Sequence, residues 1–287
     1  MTLEDIASAA EAADGVAPFN EATLLAVTAG DEPRVGDTTD AWALIAFGDA
    51  PVELAVHPDE RNKGWGRRLV DGLLAKGETQ FWAHGDLPAA QALAASAGLA
   101  PARTLLILRL IPGRQPETAP NPGRQPEGRG REGARGRLDD ITIRPSTPDD
   151  IDAIIAVNAR AFASHPEQGA MDRADFDRRA ASDWFDHNGL FVAERDGRIV
   201  GFHWTKIDPS TGSGQGTGEV YVVGVDPDEQ GTGLGTALTA RGLDHLTAAG
   251  VEAIDLYVEG DNAPALAVYH RLGFTEHARD TLYSKPT

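Results

Sequence analysis

The sequence predicts an α/β (α+β) protein built from two tandem copies of one domain, and three observations carry that expectation. Both halves of the 287-residue chain alternate short apolar strands with helical segments. The halves register on one another through V-x-P-D-E-x-x-x-G-x-G, which reads "VHPDERNKGWG" at 56–66 and "VDPDEQGTGLG" at 225–235, so that Val56 matches Val225. Between them, residues 112–138 hold six Gly, five Pro, six Arg and a single large apolar residue, Leu138. Such a segment buries too little apolar surface to offset its chain entropy, and a disordered linker is expected there. The expected domains are 1–111 and 139–287, flanking that linker.

In the first half, strands are expected at "AWALIAF", "ELAVHP", "TQFWAH" and "RTLLILRL", with helices at "GRRLVDGLLAKG" and "LPAAQALAASAGL". The linker contains a near-repeat, "IPGRQPE" from Ile111 and "NPGRQPE" from Asn121, and reads as a low-complexity spacer. In the second half, "DDITIRP" (139–145) alternates with period two and is ended by Pro145. "TPDDIDAIIAVNARAF" (147–162) has a Thr cap, a Pro at the first helical position and apolar residues at helical spacing. A hairpin follows from Leu190 to Ile207 around the turn "DG". Then come the strand "EVYVVGV", a glycine-rich turn, a helix to about Ala249, the strand "AIDLYVE", the helix "NAPALAVYHRLG" and a last strand at "TLYS".

Composition excludes several function classes. Acidic residues number 44 against 26 Lys and Arg, a formal charge of −18, which opposes a general nucleic-acid surface because phosphate binding needs clustered cations. A small anionic ligand stays open, since backbone N–H groups supply a local field. Cysteine is absent, which removes disulfides, thiolate metal sites and a cysteine nucleophile. No apolar run approaches the roughly 18 residues of a membrane span. "MTLEDIASAAEAADG" carries acids where a secretory signal carries basic residues. The expectation is a cytoplasmic protein without a metal, a nucleic-acid partner or a membrane partner.

The turn "VDPDEQGTGLG" places Gln230, Gly233 and Gly235 between a strand and a helix. Glycines there let the backbone approach a ligand, and the free N–H groups of the first helical turn point at an anion. A pyrophosphate suits this turn better than a triphosphate with magnesium, because the Lys-Ser/Thr pair of a nucleotide loop is missing. On the glycines alone, a plain strand–helix turn is an equal reading. Three companions favour a site: a strand bearing the lone acid Glu219, the "EGDN" ending of the next strand, and "YHRLGF" on the following helix.

Gln/Arg-x-x-Gly-x-Gly at a strand–helix junction, followed by "DN-x(6)-YHRLGF", resembles the GNAT superfamily of acyl-CoA-dependent N-acyltransferases. "FASHPEQG" (162–169), "GFHWTKI" (201–207), "GEVYVVGVDP" (218–227), "QFWAHG" (80–85) and "DGVAPFNE" (14–21) resemble, within it, the two-domain actinobacterial branch that makes mycothiol. The resemblance covers nearly the whole chain outside the linker. It implies two GNAT domains, each a mixed, mostly antiparallel central sheet flanked by helices. It also implies transfer of an acetyl group from acetyl-CoA to the cysteinyl amine of a glucosaminyl-inositol, a small thiol-sugar acceptor; a monomer is expected.

Residue roles follow from the same resemblance. Glu219 is the expected base, Tyr269 the expected acid for the leaving thiolate, and Glu21, Glu167, Lys206, Glu219 and Tyr269 the expected acceptor contacts. Acetyl-CoA is expected on Val223, Gly224, Val225, Gln230, Gly231, Thr232, Gly233, Leu234, Gly235, Thr236, Asn262, Phe274, Thr275 and Arg279. The splaying of the strand at Val223–Val225, which would free an N–H for the thioester oxygen, is likewise a family expectation. Counted by twos, Glu219 should share a face with Tyr221, Val223 and Val225. His203 reads as a satisfied packing histidine. Gly231 and Thr232 stand where the family tends to carry basic residues, which points to weaker CoA binding, and Gly260 replaces a usual Ser.

The first half keeps a second candidate cradle at Leu54, Ala55, Val56, Arg61, Gly64, Gly66 and Arg67. Registering Gly98-Leu99 on Gly273-Phe274 puts Ala94 at the position of Tyr269, and Ala50 falls opposite Glu219. Both proton-transfer groups are missing, so the first copy reads as degenerate, able at most to bind acetyl-CoA and support the acceptor site. Two rival functions stay open: a GNAT enzyme for another amine (an amino sugar, a polyamine or a protein N-terminus), and a non-catalytic acyl-CoA sensor.

Overall fold

The computed structural model describes residues 1–113, 138–163, 169–208 and 216–286. The linker expectation falls mainly on residues 114–137, outside the described residues. The first half forms α1 (Leu3–Asp14), α2 (Glu21–Ala29), β1 (Val35–Thr38), β2 (Trp42–Ala46), β3 (Glu53–Val56), α3 (Trp65–Ala75), β4 (Gln80–Ala83), α4 (Pro88–Ser96) and β5 (Ala100–Leu110). The second forms β6 (Ile141–Pro145), α5 (Ile151–Ala161), α6 (Arg173–Ala180), β7 (Leu190–Arg195), β8 (Arg198–Asp208), β9 (Thr217–Val225), α7 (Leu234–Ala248), β10 (Ala253–Glu259), α8 (Ala263–Arg271) and β11 (Thr275–Ser284). The fold is mixed α/β, with mostly antiparallel sheet flanked by helices. Its elements match the expected order, with α1, α2, β1 and α6 added.

The chain divides into two compact units. One is Met1–Ile107 with Val258–Ala263 and Glu276–Thr287; the other is Leu108–Tyr257 with Pro264–Thr275. In the first unit, β1, β2 and β3 form an antiparallel sheet, and β11 pairs antiparallel with β4. Alternation along β2 splits the core. Ala43 and Ile45 pack with Leu3, Ile6, Ala10 and Phe19, while Leu44 and Ala46 pack with Val70, Leu73, Phe81 and Leu99. Thr2 and Asp5 make a capping box for α1, and Asn20 caps α2.

Asn20 has a second task. Its backbone and side-chain nitrogens both donate to Glu53 Oε1, at 3.2 and 2.7 Å. The same oxygen takes His84 Nε2 at 2.6 Å, and His84 Nδ1 meets Asp280 Oδ2 at 2.9 Å. Glu53 and Asp280 are both buried. Burial alone would lower the pKa of His84, but the bonds to Asp280 and Glu53 outweigh it and raise it to about 9. A charged imidazolium thus sits between two buried carboxylates.

In the second unit the strands run in the order β6-β7-β8-β9-β10, antiparallel up to β9, with β10 parallel to β9. The expected hairpin is β7–β8, and Asp196 (φ +50) and Gly197 (φ +75) turn it. One face carries Ile154, Val157 and Phe176 against Val192, Phe202, Trp204 and Val222. The other carries Leu234 and Leu238 of α7 against Ala193, Val200, Val223 and Val225.

His203 lies under α7, fully buried, with Nδ1 2.8 Å from the Leu238 carbonyl. Burial pushes its pKa down to about 4, so the ring is neutral and Nδ1–H donates. The expectation of a satisfied histidine holds for that nitrogen only, because Nε2 has no partner among the described residues. Gly242 makes room for the ring: a Cβ there would lie 2.0 Å from His203 Cε1. Gly242→Ala should destabilise the second unit by about 1–3 kcal/mol, read by thermal melting, since overpacking displaces a ring that has no space to move.

Candidate functional site

The glycine turn of the second unit is built by local backbone rules. Asp226, buried, accepts from the Asp228 N–H and starts a 3₁₀ turn at Pro227–Glu229. Gly231 and Gly233 then adopt φ of +73 and +95, and Gly233 is the N-cap of α7. Left-handed conformations at two positions so close together favour glycine over any side chain. A Cβ on Gly231 would meet nothing within 4 Å, so the turn opens to free space. The early N–H groups of α7 point there without intrahelical acceptors, although the Leu234 N–H makes a long 3.4 Å contact with Thr232 Oγ1. This arrangement suits a pyrophosphate held on backbone donors.

The first unit repeats the turn residue by residue. His57 accepts from the Asp59 N–H to start a 3₁₀ turn at Pro58–Glu60. Asn62 (φ +61) takes the place of Gly231, and Gly64 (φ +79) is the N-cap of α3 as Gly233 is of α7. The alignment of Val56 with Val225 is therefore an alignment of backbone conformation as well as of letters.

Strand β9 carries the acid. Lys206 and Glu219 are direct cross-strand partners in the β8–β9 ladder, so their side chains leave the same face. Trp204 pairs with Val222 and Thr205 with Val220, which makes Tyr221 the extra residue of a β-bulge. The bulge corrects the expected face. Gly218 looks toward Leu246 and Val251, so Glu219 and Tyr221 look the other way. Beyond the bulge the parity reverses, and Val223 and Val225 pack with Leu234 and Leu238 of α7. Glu219 shares a face with Tyr221 and Val222 rather than with Val223 and Val225.

The β9–β10 register runs from Thr217↔Ala253 to Val220↔Leu256 and stops, while β9 continues to Val225. Parting strands leave N–H groups on that edge without a ladder acceptor.

Tyr269, on α8, is packed edge-on against Phe274 with ring centroids 5.9 Å apart. Burial raises its phenol pKa, which keeps the proton on and suits a donor. Phe274 is itself buried, and Thr275 is exposed. Asn262 and Arg279 belong to the first compact unit; the Asn262 N–H donates to the Glu259 carbonyl, and Arg279 Nε bonds Glu276 at 2.9 Å. Glu21 is a half-buried residue at the start of α2 in the first unit. Glu167 and His165 lie outside the described residues.

The first unit contains a cavity of about 690 Å³. Its lining includes Leu54, Ala55, Val56, Arg61, Gly64 and Gly66, together with Trp65, Trp82, His84, Ala94 and Leu99. Arg61 is held by both oxygens of Asp14, each at 2.7 Å, and Arg67 by Asp71. Both cations of the cradle are thus neutralised from within. Helices α4 and α8 end alike, with Gly98 (φ +72) and Gly273 (φ +97), and with Leu99 N–H to the Ala94 carbonyl and Phe274 N–H to the Tyr269 carbonyl. The correspondence of Ala94 with Tyr269 is real at the level of hydrogen bonds. The small residue lines the cavity where its counterpart carries a phenol.

The aromatic wall around Lys206 has no signature in the sequence pattern. Tyr221 and Trp184 lie within cation–π reach of its ammonium, and Arg179 Nε donates to Tyr221 Oη at 3.0 Å. Tyr221 was visible in the strand pattern; Trp184 lies in a stretch with no periodicity to mark it. Among the described residues, no His, Asp and Glu cluster suits a metal ion, and no helix is long and apolar enough to cross a membrane.

Comparison with known proteins agrees with this architecture. Residues 157–274 match the Acetyltransferase (GNAT) family. The chain is 45% identical over 292 residues to the mycothiol acetyltransferase of Clavibacter sepedonicus, covering 98% of this chain and 90% of the relative. It is 44% identical over 293 residues to that of Thermobispora bispora, covering 98% and 94%. Among solved structures, a GCN5-related N-acetyltransferase from Sphaerobacter thermophilus superposes with a TM-score of 0.62 at 20% identity, covering 97% of this chain and 90% of the other. A tandem GNAT protein from the clavulanic acid biosynthesis pathway gives 0.62 at 17% identity, covering 100% and 97%. Those two likenesses concern the fold. With near full-length identity far above that level to enzymes of one name, the chain belongs to the mycothiol acetyltransferase family, tandem-repeat acyltransferases of the GNAT superfamily.

Proposed function

We propose that this protein transfers the acetyl group of acetyl-CoA to the cysteinyl amine of 1D-myo-inositol 2-(L-cysteinylamino)-2-deoxy-α-D-glucopyranoside, releasing mycothiol and CoA. The observation that carries the reading is the 45% identity to a mycothiol acetyltransferase across 98% of the chain. The protein acts in the cytoplasm as a monomer on small molecules and uses no metal.

The α-amine has a reference pKa of about 8 and must lose a proton before it can attack. Glu219 takes that proton, directly or through a water. The amine nitrogen then bonds to the thioester carbon, and a β9 N–H within Val223–Val225 stabilises the developing oxyanion. As the intermediate collapses the C–S bond breaks, Tyr269 protonates the CoA thiolate, and the nitrogen's second proton leaves through solvent, which returns one to Tyr269. No acyl-enzyme forms. The backbone of Gln230–Thr236 holds the pyrophosphate, helped by Asn262, Phe274, Thr275 and Arg279. Lys206, with Glu21 and Glu167, binds the polyhydroxylated acceptor. In the first unit, Leu54, Ala55, Val56, Arg61, Gly64, Gly66 and Arg67 hold acetyl-CoA without turning it over.

Free CoA release with acetyl-CoA and the cysteinylated precursor tests the proposal. Turnover on that acceptor is expected. Activity confined to another amine, or CoA binding without any turnover, would overturn it.

A further inference from the structure

Around Lys206 the second unit builds more than a binding lysine needs. The Lys206 ammonium lies 5.2 Å from the Trp184 ring centroid and 5.8 Å from that of Tyr221, whose rings are 5.0 Å apart. Trp184 is backed by Trp204 at 5.8 Å, and Trp204, fully buried, also meets Tyr221 at 5.4 Å. Tyr221 is pinned from outside by the guanidinium of Arg179, and from below by its place as the bulged residue of β9. A lysine stem with four rotatable bonds is thereby confronted with two rings whose own positions are fixed.

We propose that Trp184 is a positioning residue: with Tyr221 it forms an aromatic clamp that holds the Lys206 ammonium beside Glu219, ready for the acceptor. The inference rests on the reading of Lys206 and Glu219 as acceptor-site groups. The physical basis is the attraction of an ammonium for the negative face of an aromatic ring, which fixes direction as well as charge. Without the clamp, Lys206 keeps its charge and loses the two ring contacts that orient its ammonium, so acceptor binding carries more of the ordering cost. Tyr221 shares the face of Lys206 and Glu219 by strand alternation, and the bulge adds Val222 to that face opposite Trp204.

The test uses the full chain as wild type, Trp184→Leu and Trp184→Phe. The protein has four lysines, so ¹³C-methylated lysine signals are resolvable, and Lys206→Arg assigns the one of interest. Ring currents should move the Lys206 signal upfield of the other three. Trp184→Leu should abolish most of that shift, and Trp184→Phe should keep it. With the unlabelled enzyme, Trp184→Leu should raise KM for the acceptor about tenfold, leaving KM for acetyl-CoA and the melting temperature near wild type. Trp184→Phe should recover most of the loss. A Lys206 signal unmoved by Trp184→Leu overturns the clamp. So does an unchanged acceptor KM, or a rise in both KM values together with a fall in melting temperature, which marks mere packing. If the wild type fails on the cysteinyl sugar, the proposed function falls, and the Lys206 signal alone decides the clamp.

Discussion

Glu219→Gln is expected to lower kcat by about two to four powers of ten while leaving KM for acetyl-CoA within a few-fold. The amide matches the carboxylate in size and can still accept a hydrogen bond, but it cannot take a proton from the amine. Glu219 is half-buried at the start of β9, in ladder with Lys206, so the substitution leaves no packing defect behind. Steady-state rates across pH provide the check. The variant should recover activity as pH rises past the amine's own pKa of about 8, where deprotonated acceptor needs no base. A near-normal rate at every pH would remove Glu219 from that role. Combining it with Tyr269→Phe should cost less than the product of the single effects, because groups that move protons in one reaction act as a unit.

His84 carries the largest expected effect on stability. His84→Leu removes the cation between Glu53 and Asp280, leaving two carboxylates of 1% and 5% exposure facing each other. Breaking a buried pair in this way costs about 3–5 kcal/mol, enough to unfold the first unit at moderate temperature. The pH dependence follows from the sign of the shift. The folded pKa of about 9 lies above the ordinary 6.5, so the folded state holds the proton more tightly than the unfolded chain. That contribution, about 3 kcal/mol, is fully present below pH 6.5 and fades as pH rises through 9. Melting temperatures should therefore fall between pH 6.5 and 9 in the wild type. In His84→Leu they should start low and change little across that window. A wild-type profile flat from pH 6 to 10 would contradict a charged His84.

The legible parts of the site were local ones. Gly231 and Gly233 announce themselves because two left-handed positions in three residues leave few alternatives to glycine. The same rule makes Asn62 and Gly64 readable as their counterparts. Tyr269 and Ala94 could be matched because each precedes a helix-ending glycine at the same spacing. Trp184 offered no such handle, since its partners, Lys206 and Tyr221, are distant in sequence and its own segment is irregular. The face of Val223 and Val225 departs from simple alternation for a different reason. Burial along β9 alternates without a break, because helices cover the sheet on both sides, so the pattern conceals the bulge.

Sequence by itself determined what short stretches of backbone must do: the order of strands and helices, the two glycine turns, their duplication, and the loss of Tyr and Glu from the first copy. Tertiary structure decided what depends on partners across the chain. The extra residue at Tyr221 exists only in relation to the register of β8, and it sets which side chains accompany Glu219. His84 owes its charge to Glu53 and Asp280, 31 and 196 residues away. Propensity and periodicity act over a few residues and can be read along the chain. Registers, ion triads and ring contacts are set by the packing of segments that meet only once the chain has folded.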